Sequence, residues 1–144
     1  MVSPPHLQIV SIPNSTSSMI PSYFPPLTTK SYSVSSLELT LTSNLCNALG
    51  IIHGGAVCTI IDCATTIGLL SNDRETRKSV SLSLTSNFYK PATSGETILI
   101  LAETDRIGKT AGFSTCKILN ENLELLYKGT HTKAFLKDKW EIQE

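Results

Sequence analysis

Charge is nearly missing from the first part of this chain. Before Asp62 the only charged side chains are Lys30 and Glu38, and eleven of the twelve lysines and arginines lie at or beyond Arg74. An anionic ligand must therefore find its cations in the second half. Nor is there an excess of either sign, since twelve basic residues balance twelve acidic ones. That neutrality argues against nucleic acid or an acidic membrane surface as the main partner. No uninterrupted apolar run approaches the roughly 18 residues that a membrane span needs. The cysteines, Cys46, Cys58, Cys63 and Cys116, form no CxxC pair and have no histidine at ligand spacing, so no metal site is expected. With no signal peptide ahead of them, they read as reduced, mostly buried thiols of an intracellular protein, cytoplasmic or mitochondrial.

Proline is just as uneven. Six of the seven (Pro4, Pro5, Pro13, Pro21, Pro25 and Pro26) fall within residues 1–31, among many serines and threonines. Proline at that density prevents a helix and interrupts sheet hydrogen bonding. A short strand at Leu7–Ile12 followed by loop is the expectation there. The segment has the hydroxyls of a mitochondrial transit peptide but neither its arginines nor its amphipathic pattern.

Regular patterning begins near residue 32, and 144 residues suffice for one substantial core. One domain is expected over 32–136, with a tail over 137–144. Leu37, Leu39 and Leu41 alternate with Glu38 and Thr40, which predicts a half-buried strand within Ser33–Leu41. Val57, Ile60, Ile61, Ala64 and Ile67 then recur at helical spacing, predicting a helix from the glycines at 54 and 55 to about Leu70. Strands follow around Val80, Leu82 and Leu84, then over Thr97–Thr104, Ala111–Leu119 and Leu125–Phe135. Thr97–Thr104 is apolar on both faces, as a central strand is. Short connections favour antiparallel neighbours, and one helix against one such sheet is the α+β class.

Four features carry possible chemistry. Asn47, His53, Gly54 and Gly55 stand at the helix entrance. A helix N-terminus has unpaired N–H groups and a partial positive charge, and glycine lets a ligand approach the backbone. Such an end suits polarising a carbonyl and stabilising the oxyanion formed on attack, although a tight loop needing glycines has the same sequence. Asp62 is a carboxylate in an otherwise apolar helix, so it is exposed, paired or used. It lies eight residues beyond Gly54, about 12 Å further along the axis. A base and an oxyanion donor must converge within roughly 3 Å of one carbonyl and its water. If both act, two antiparallel copies of the helix must meet in a twofold dimer with two composite sites.

Ser79, Ser81, Ser83 and Thr85 are expected to share one strand face by the period-2 rule, either as an ordinary solvated surface or to orient a water. Arg106-Ile107-Gly108-Lys109-Thr110 sets two cations around a glycine. It suits phosphates, or is a plain hairpin turn; it is not a Walker motif.

Taken in order, NALGIIHGGAVCTIID, SVSLSLTSNFYKPATSGE, RIGKTAGFSTCKI and KGTHTKAF resemble the hotdog-fold acyl-CoA thioesterases of the phenylacetate-degradation and acyl-CoA thioesterase 13 type. The resemblance runs from about Asn47 to Phe135. It implies a long central helix wrapped by a curved antiparallel sheet, and homodimers that pair again as dimers of dimers. It also implies hydrolysis of acyl-CoA thioesters without metal or cofactor. By motif position it implies Gly54 as the backbone donor to the thioester carbonyl, with Asn47 and His53 as positioning partners. Asp62 would be the general base or nucleophile, supplied by the opposite subunit, and Ser81 a hydroxyl that helps hold the water. CoA contacts would fall on Ser83, Phe88, Arg106, Gly108, Lys109, Thr110 and Lys133.

The chain departs from that pattern where a proline-rich segment replaces an N-terminal amphipathic helix, and where Ser83 replaces an acidic residue of some relatives. Both departures bear on substrate preference. Two other functions share the same framework: a hotdog dehydratase or hydratase using a histidine and an acid, and an acyl-CoA binding protein without catalysis.

Overall fold

The computed structural model describes residues 32–141; the strand expected at Leu7–Ile12 lies outside them. Among the described residues the alternating segments form five strands and the helical spacing forms one α-helix. In chain order they are β1 (Ser35–Thr40), α1 (Gly54–Asn72), β2 (Arg77–Phe88), β3 (Thr97–Ile107), β4 (Ala111–Leu119) and β5 (Leu125–Lys139). The strands make one sheet in the order β1-β3-β4-β5-β2, antiparallel at every junction. β5 continues past Phe135, because Lys139 still pairs with Arg77. β3 is an interior strand between β1 and β4, the middle of the sheet being β4, and its Ile98, Ile100 and Ala102 are buried on the face toward α1.

Helix α1 touches all five strands, so the sheet wraps it: this is the α+β hotdog architecture. Val57, Ile61, Ala64, Thr65, Gly68 and Leu69 are its buried residues. That face differs from the expected stripe at one end, because Ile67 is 37% exposed. Six steps of 100° carry Ile67 about 120° away from Ile61, whereas seven bring Gly68 back to within about 20°. Packing has therefore selected a glycine and a threonine over an isoleucine. The 19 residues of α1 are long and apolar enough to cross a membrane by length and composition alone. Its isoleucines, leucines and valine outweigh the threonines, glycines and Asp62 that break the apolar runs. Its packing against every strand makes α1 the core helix.

Two glycines set how closely the helix lies. A Cβ at Gly129 would stand 2.6 Å from Ile61 Cγ2 and 3.0 Å from the Thr85 carbonyl oxygen. A Cβ at Gly112 would stand 2.6 Å from a Leu69 methyl. Both positions face the helix, and neither leaves room for a side chain.

The end of α1 is tied down by charge. Asp73 and Arg77 form a buried pair at 2.9 Å, the Asp73 carboxylate also accepts from the Arg77 backbone N–H, and the guanidinium lies 3.8 Å from the centre of the Phe135 ring. Burial alone would raise the Asp73 pKa, but hydrogen bonds from Arg77 and from the Glu75 amide outweigh it and hold the carboxyl below its ordinary value. Arg77 Nη1 also donates to the carbonyls of Gly108 and Lys109 at 3.3 and 2.9 Å, so the β3–β4 turn is anchored to the helix C-terminus.

Of the cysteines only Cys116 is buried; Cys46 and Cys58 are half-buried and Cys63 is exposed. The exposed thiol corrects the expectation of a mostly buried set, since its helix face does not meet the sheet. Burial pushes the Cys116 thiol up to about 12, so it is an inert core group.

Gly129→Ala should destabilise the fold by about 1–3 kcal/mol, because Ile61 and a backbone carbonyl must both give way. Urea unfolding of this variant beside an exposed control such as Gly55→Ala, where a Cβ meets nothing within 4 Å, measures it. Equal stability would mean that the helix is not held at that distance.

Candidate active site

Asp62 projects from the side of α1 rather than from its buried face, and its side chain is 47% exposed. Its Oδ1 accepts a hydrogen bond from Thr66 Oγ1 at 3.3 Å. It also stands 3.7 Å from His131 Nδ1 and 3.9 Å from Lys133 Nζ. Both of these residues come from β5, and both are buried. Ser81 on β2 completes the group, 2.9 Å from His131 Nε2 and 3.4 Å from Lys133 Nζ.

The shortest contact orders the protons. Thr65 Oγ1 is 2.6 Å from the Ile61 carbonyl and 2.7 Å from His131 Nδ1. A hydroxyl has one proton to give. Spent on the carbonyl, it leaves Nδ1 as the N–H donor to Thr65 and Nε2 as the acceptor of the Ser81 hydroxyl proton. Ser81 Oγ in turn accepts from Lys133. Both ring nitrogens of His131 are then occupied, so the imidazole orients Ser81 and is closed as a general base. Burial lowers the His131 pKa, Lys133 lowers it further, and Asp62 works against them; the neutral ring is favoured.

Ser81 owes its direction to a β-bulge. Ser79 pairs with Phe135 and Ser81 with Lys133, whereas Ser83 pairs with Thr132 and Thr85 with Thr130. The register slips between Ser81 and Ser83, with Leu82 as the extra residue. Directly opposed residues share a face, so Ser79 and Ser81 point toward the helix side while Ser83 and Thr85 point away. The expected row of four hydroxyls on one face is therefore split. Ser83 lies on the opposite side of the sheet from Ser81.

The second group gathers at the entrance of α1. His53 is the N-cap, extended at φ −61° and ψ 136°, and its side chain makes no capping bond. The amides of Gly54 and Gly55 therefore lack intrahelical acceptors. Asn47 shapes the loop ahead of them: its Oδ1 accepts from the Leu49 and Ile51 amides at 2.9 and 3.1 Å. That leaves its Nδ2 free to donate. Phe88 flanks the same end, 3.6 Å from where a Cβ of Gly54 would be, and meets Tyr127 edge-on at 5.6 Å. Ile51, Ile52, Phe88, Tyr89, Lys90, Pro91 and Tyr127 line an apolar cleft of about 280 Å³ here.

The third group is the β3–β4 turn. Arg106 and Lys109 are exposed there, the Gly108 amide donates to Ala111 O at 2.8 Å and the Thr110 carbonyl accepts from Phe135 N at 2.9 Å. Beside the turn lies a cavity of about 660 Å³ whose walls include Tyr32, Arg74, Arg77 and Lys109.

One chain thus keeps the expected residues in three places. Asp62, Ser81 and Lys133 come together; Asn47, His53, Gly54 and Phe88 make a second cluster; Arg106, Gly108, Lys109 and Thr110 form the third. Phe88 and Arg77 end a strand of 12 residues and stand some 36 Å apart. Phe88 is thereby remote from its own chain's β3–β4 turn. Lys133, expected among the CoA contacts, stands beside Asp62 with its side chain 7% exposed. The residue that sequence reasoning missed is His131. Its signal was present, since Tyr127 and Phe135 fix the phase of β5 and put His131 and Lys133 on the inward face.

A hotdog domain with an amide-rich helix end and a single carboxylate further along the same helix defines a class, and the comparisons give it a family. Residues 49–127 match the family model described as the thioesterase superfamily. Acyl-coenzyme A thioesterase 13 of Homo sapiens is 33% identical over 97 residues, which is 67% of this chain and 69% of that protein. Zebra fish thioesterase superfamily member 2 superposes with a TM-score of 0.70 at 27% identity, covering 75% of this chain and 78% of that one. The PaaI protein of the E. coli phenylacetic acid degradation operon shares the fold, with a TM-score of 0.67 at 20% identity over 74% and 75% of the two chains. This chain belongs to the thioesterase superfamily.

The depressed His131 pKa has a pH signature. In the unfolded chain the imidazole keeps its ordinary value of 6.5. Between that value and the lower folded one, the unfolded state binds more protons than the native state, so stability falls as pH falls. Above that window His131 contributes no slope. The Asp73 carboxyl, held below its ordinary 3.8, adds a second loss only under more acid conditions. Urea midpoints should therefore decline as pH drops from 6.5 toward 5, and His131→Asn should flatten the decline. An unchanged slope in the variant would assign the loss elsewhere.

Proposed function

We propose that the chain hydrolyses acyl-CoA thioesters to free acid and CoA in sites shared between two subunits. The observation that carries this reading is the separation of two complementary half-sites along one rigid helix. Gly54 and Asp62 are both on α1, about 12 Å apart along its axis, and a straight helix does not bring them together. An antiparallel second copy does. The thioester carbonyl would accept from the Gly54 amide of one subunit, with Asn47 and His53 positioning it. Asp62 of the other subunit would take a proton from water as the water oxygen attacks the carbonyl carbon. The C–S bond then breaks, and the leaving thiolate recovers that proton from Asp62. Ser81, held by His131 and Lys133, keeps one lone pair for the water.

Supporting this reading are the human relative's name, acyl-coenzyme A thioesterase 13, and a protein of the same fold from Streptococcus mutans solved bound to acetyl CoA. The exposed cations at the β3–β4 turn suit CoA phosphates, and the apolar cleft beside Gly54 suits an acyl chain. β2 is an edge strand with Val80, Leu82, Leu84 and Phe88 exposed. An unpaired apolar edge of this length favours strand pairing with a second chain. Such pairing, antiparallel about a twofold axis, would return one subunit's Phe88 toward the other's β3–β4 turn. The homodimer, and its pairing into a dimer of dimers, belong to this proposal.

A complementation experiment tests the shared site. Asp62→Asn removes the base, and Gly54→Pro removes the amide. Proline is tolerated at the first helical position, and His53 already has the extended backbone that precedes one. Each variant alone should lose at least about 100-fold in thiol release from an acyl-CoA panel. Refolded together in equal amounts they should regain about a quarter of wild-type activity, since half of the dimers then hold one intact site in two. Mixed dimers that form and stay inactive would sink the shared site; full activity in Asp62→Asn would sink the mechanism.

A further inference from the structure

Lys133 is in an unusual place for a lysine. Its side chain is 7% exposed and it stands on the inward face of β5, its Cα opposed to Ser81 on one side and Gly112 on the other. Lysines are seldom buried unless paired, and an ammonium in the interior is costly without compensating charge. The compensation here is thin. Of three N–H donors, one reaches Ser81 Oγ at 3.4 Å, and the nearest carboxylate oxygen is Asp62 Oδ1 at 3.9 Å. Helix α1 offers Asp62 as its only charged side chain, and β5 adds His131. β4 presents Gly112 and Ser114 across the sheet. The inward residues of β2 here are Ser79 and Ser81, and Arg77 further along is already paired with Asp73. The ammonium and the carboxylate are therefore each other's main electrostatic partner.

We propose that Lys133 is a positioning residue that faces the Asp62 carboxylate and keeps it turned toward the substrate water, while fixing Ser81 beside it, and that it makes no contact with CoA. This rests on the reading of Asp62 as the carboxylate that activates water. Lys133 keeps its own proton throughout. Its effect is on the orientation of the Asp62 carboxylate and the Ser81 hydroxyl, and hence on kcat rather than on KM or CoA affinity.

The test compares Lys133→Met with Lys133→Arg, following kcat and KM separately and CoA dissociation constants by calorimetry. The Met variant is expected to lose about tenfold in kcat, with KM and CoA affinity within about twofold of wild type, and the Arg variant to recover most of the lost kcat. An unchanged kcat in the Met variant overturns the proposal, whether or not CoA affinity falls. If the Met variant does not fold, Lys133→Gln is read on the same quantities, and an unchanged kcat there overturns it equally. Thiol release that survives Asp62→Asn would instead remove the underlying hydrolytic reading, an outcome seen without any change at Lys133.

Discussion

The near contact between helix α1 and strands β4 and β5 is the constraint on which the rest of this molecule depends. Gly112 and Gly129 are open positions into which Leu69 and Ile61 project, and they bring the helix down onto the sheet. At that distance Thr65 reaches His131 across the interface at 2.7 Å. Asp62, three residues earlier and turned about 60°, then overhangs the same histidine and Lys133. A bulkier residue at either glycine would lift the helix, and the polar cluster would lose its register before the core lost its identity. Packing density and site geometry are one quantity here.

Burial also decides the electrostatics of the cluster. His131 and Lys133 are both enclosed, and two adjacent cations in the interior would repel. The ring escapes by staying neutral, which its hydrogen bonds to Thr65 and Ser81 favour. Asp62 Oδ1 stands within 4 Å of both side chains, 3.7 Å from the ring and 3.9 Å from the ammonium. The result is a separation of roles between neighbours, in which the ring orients Ser81 and the ammonium faces the carboxylate.

Most of the fold was legible from periodicity. The β4 span follows from alternation alone, and the helix from its spacing and its leading glycines. What periodicity could not carry was phase. The bulge at Leu82 flips the direction of every later side chain in β2, and nothing in SVSLSLTS marks the slip. Two polar residues facing inward on β5 broke the simpler rule that inward positions are apolar, so His131 went unremarked despite Tyr127 and Phe135 on either side. The displacement of Ile67 has the opposite origin. Hydrophobicity argued for it, and the sheet accepted the smaller Gly68 against Ala102 instead. In each case a tertiary neighbour outvoted a local pattern.

The place of β2 at the sheet edge brings these threads together. Edge strands are a hazard that proteins usually blunt with charge, proline or brevity. β2 runs 12 residues, and from Ser79 to Phe88 it has no charge and no proline. It also carries Ser81, whose orientation the proposed chemistry requires. A strand selected only for solubility would not keep Val80, Leu82 and Leu84 exposed. One selected to pair with its own copy would, and the bulge would then serve both ends at once: it turns Ser81 inward to the carboxylate and, further along, brings Phe88 to the same side at the entrance of α1. On the shared-site reading, association and catalysis use the same strand. A substitution that disturbs the edge would then remove activity by separating half-sites that are each still intact.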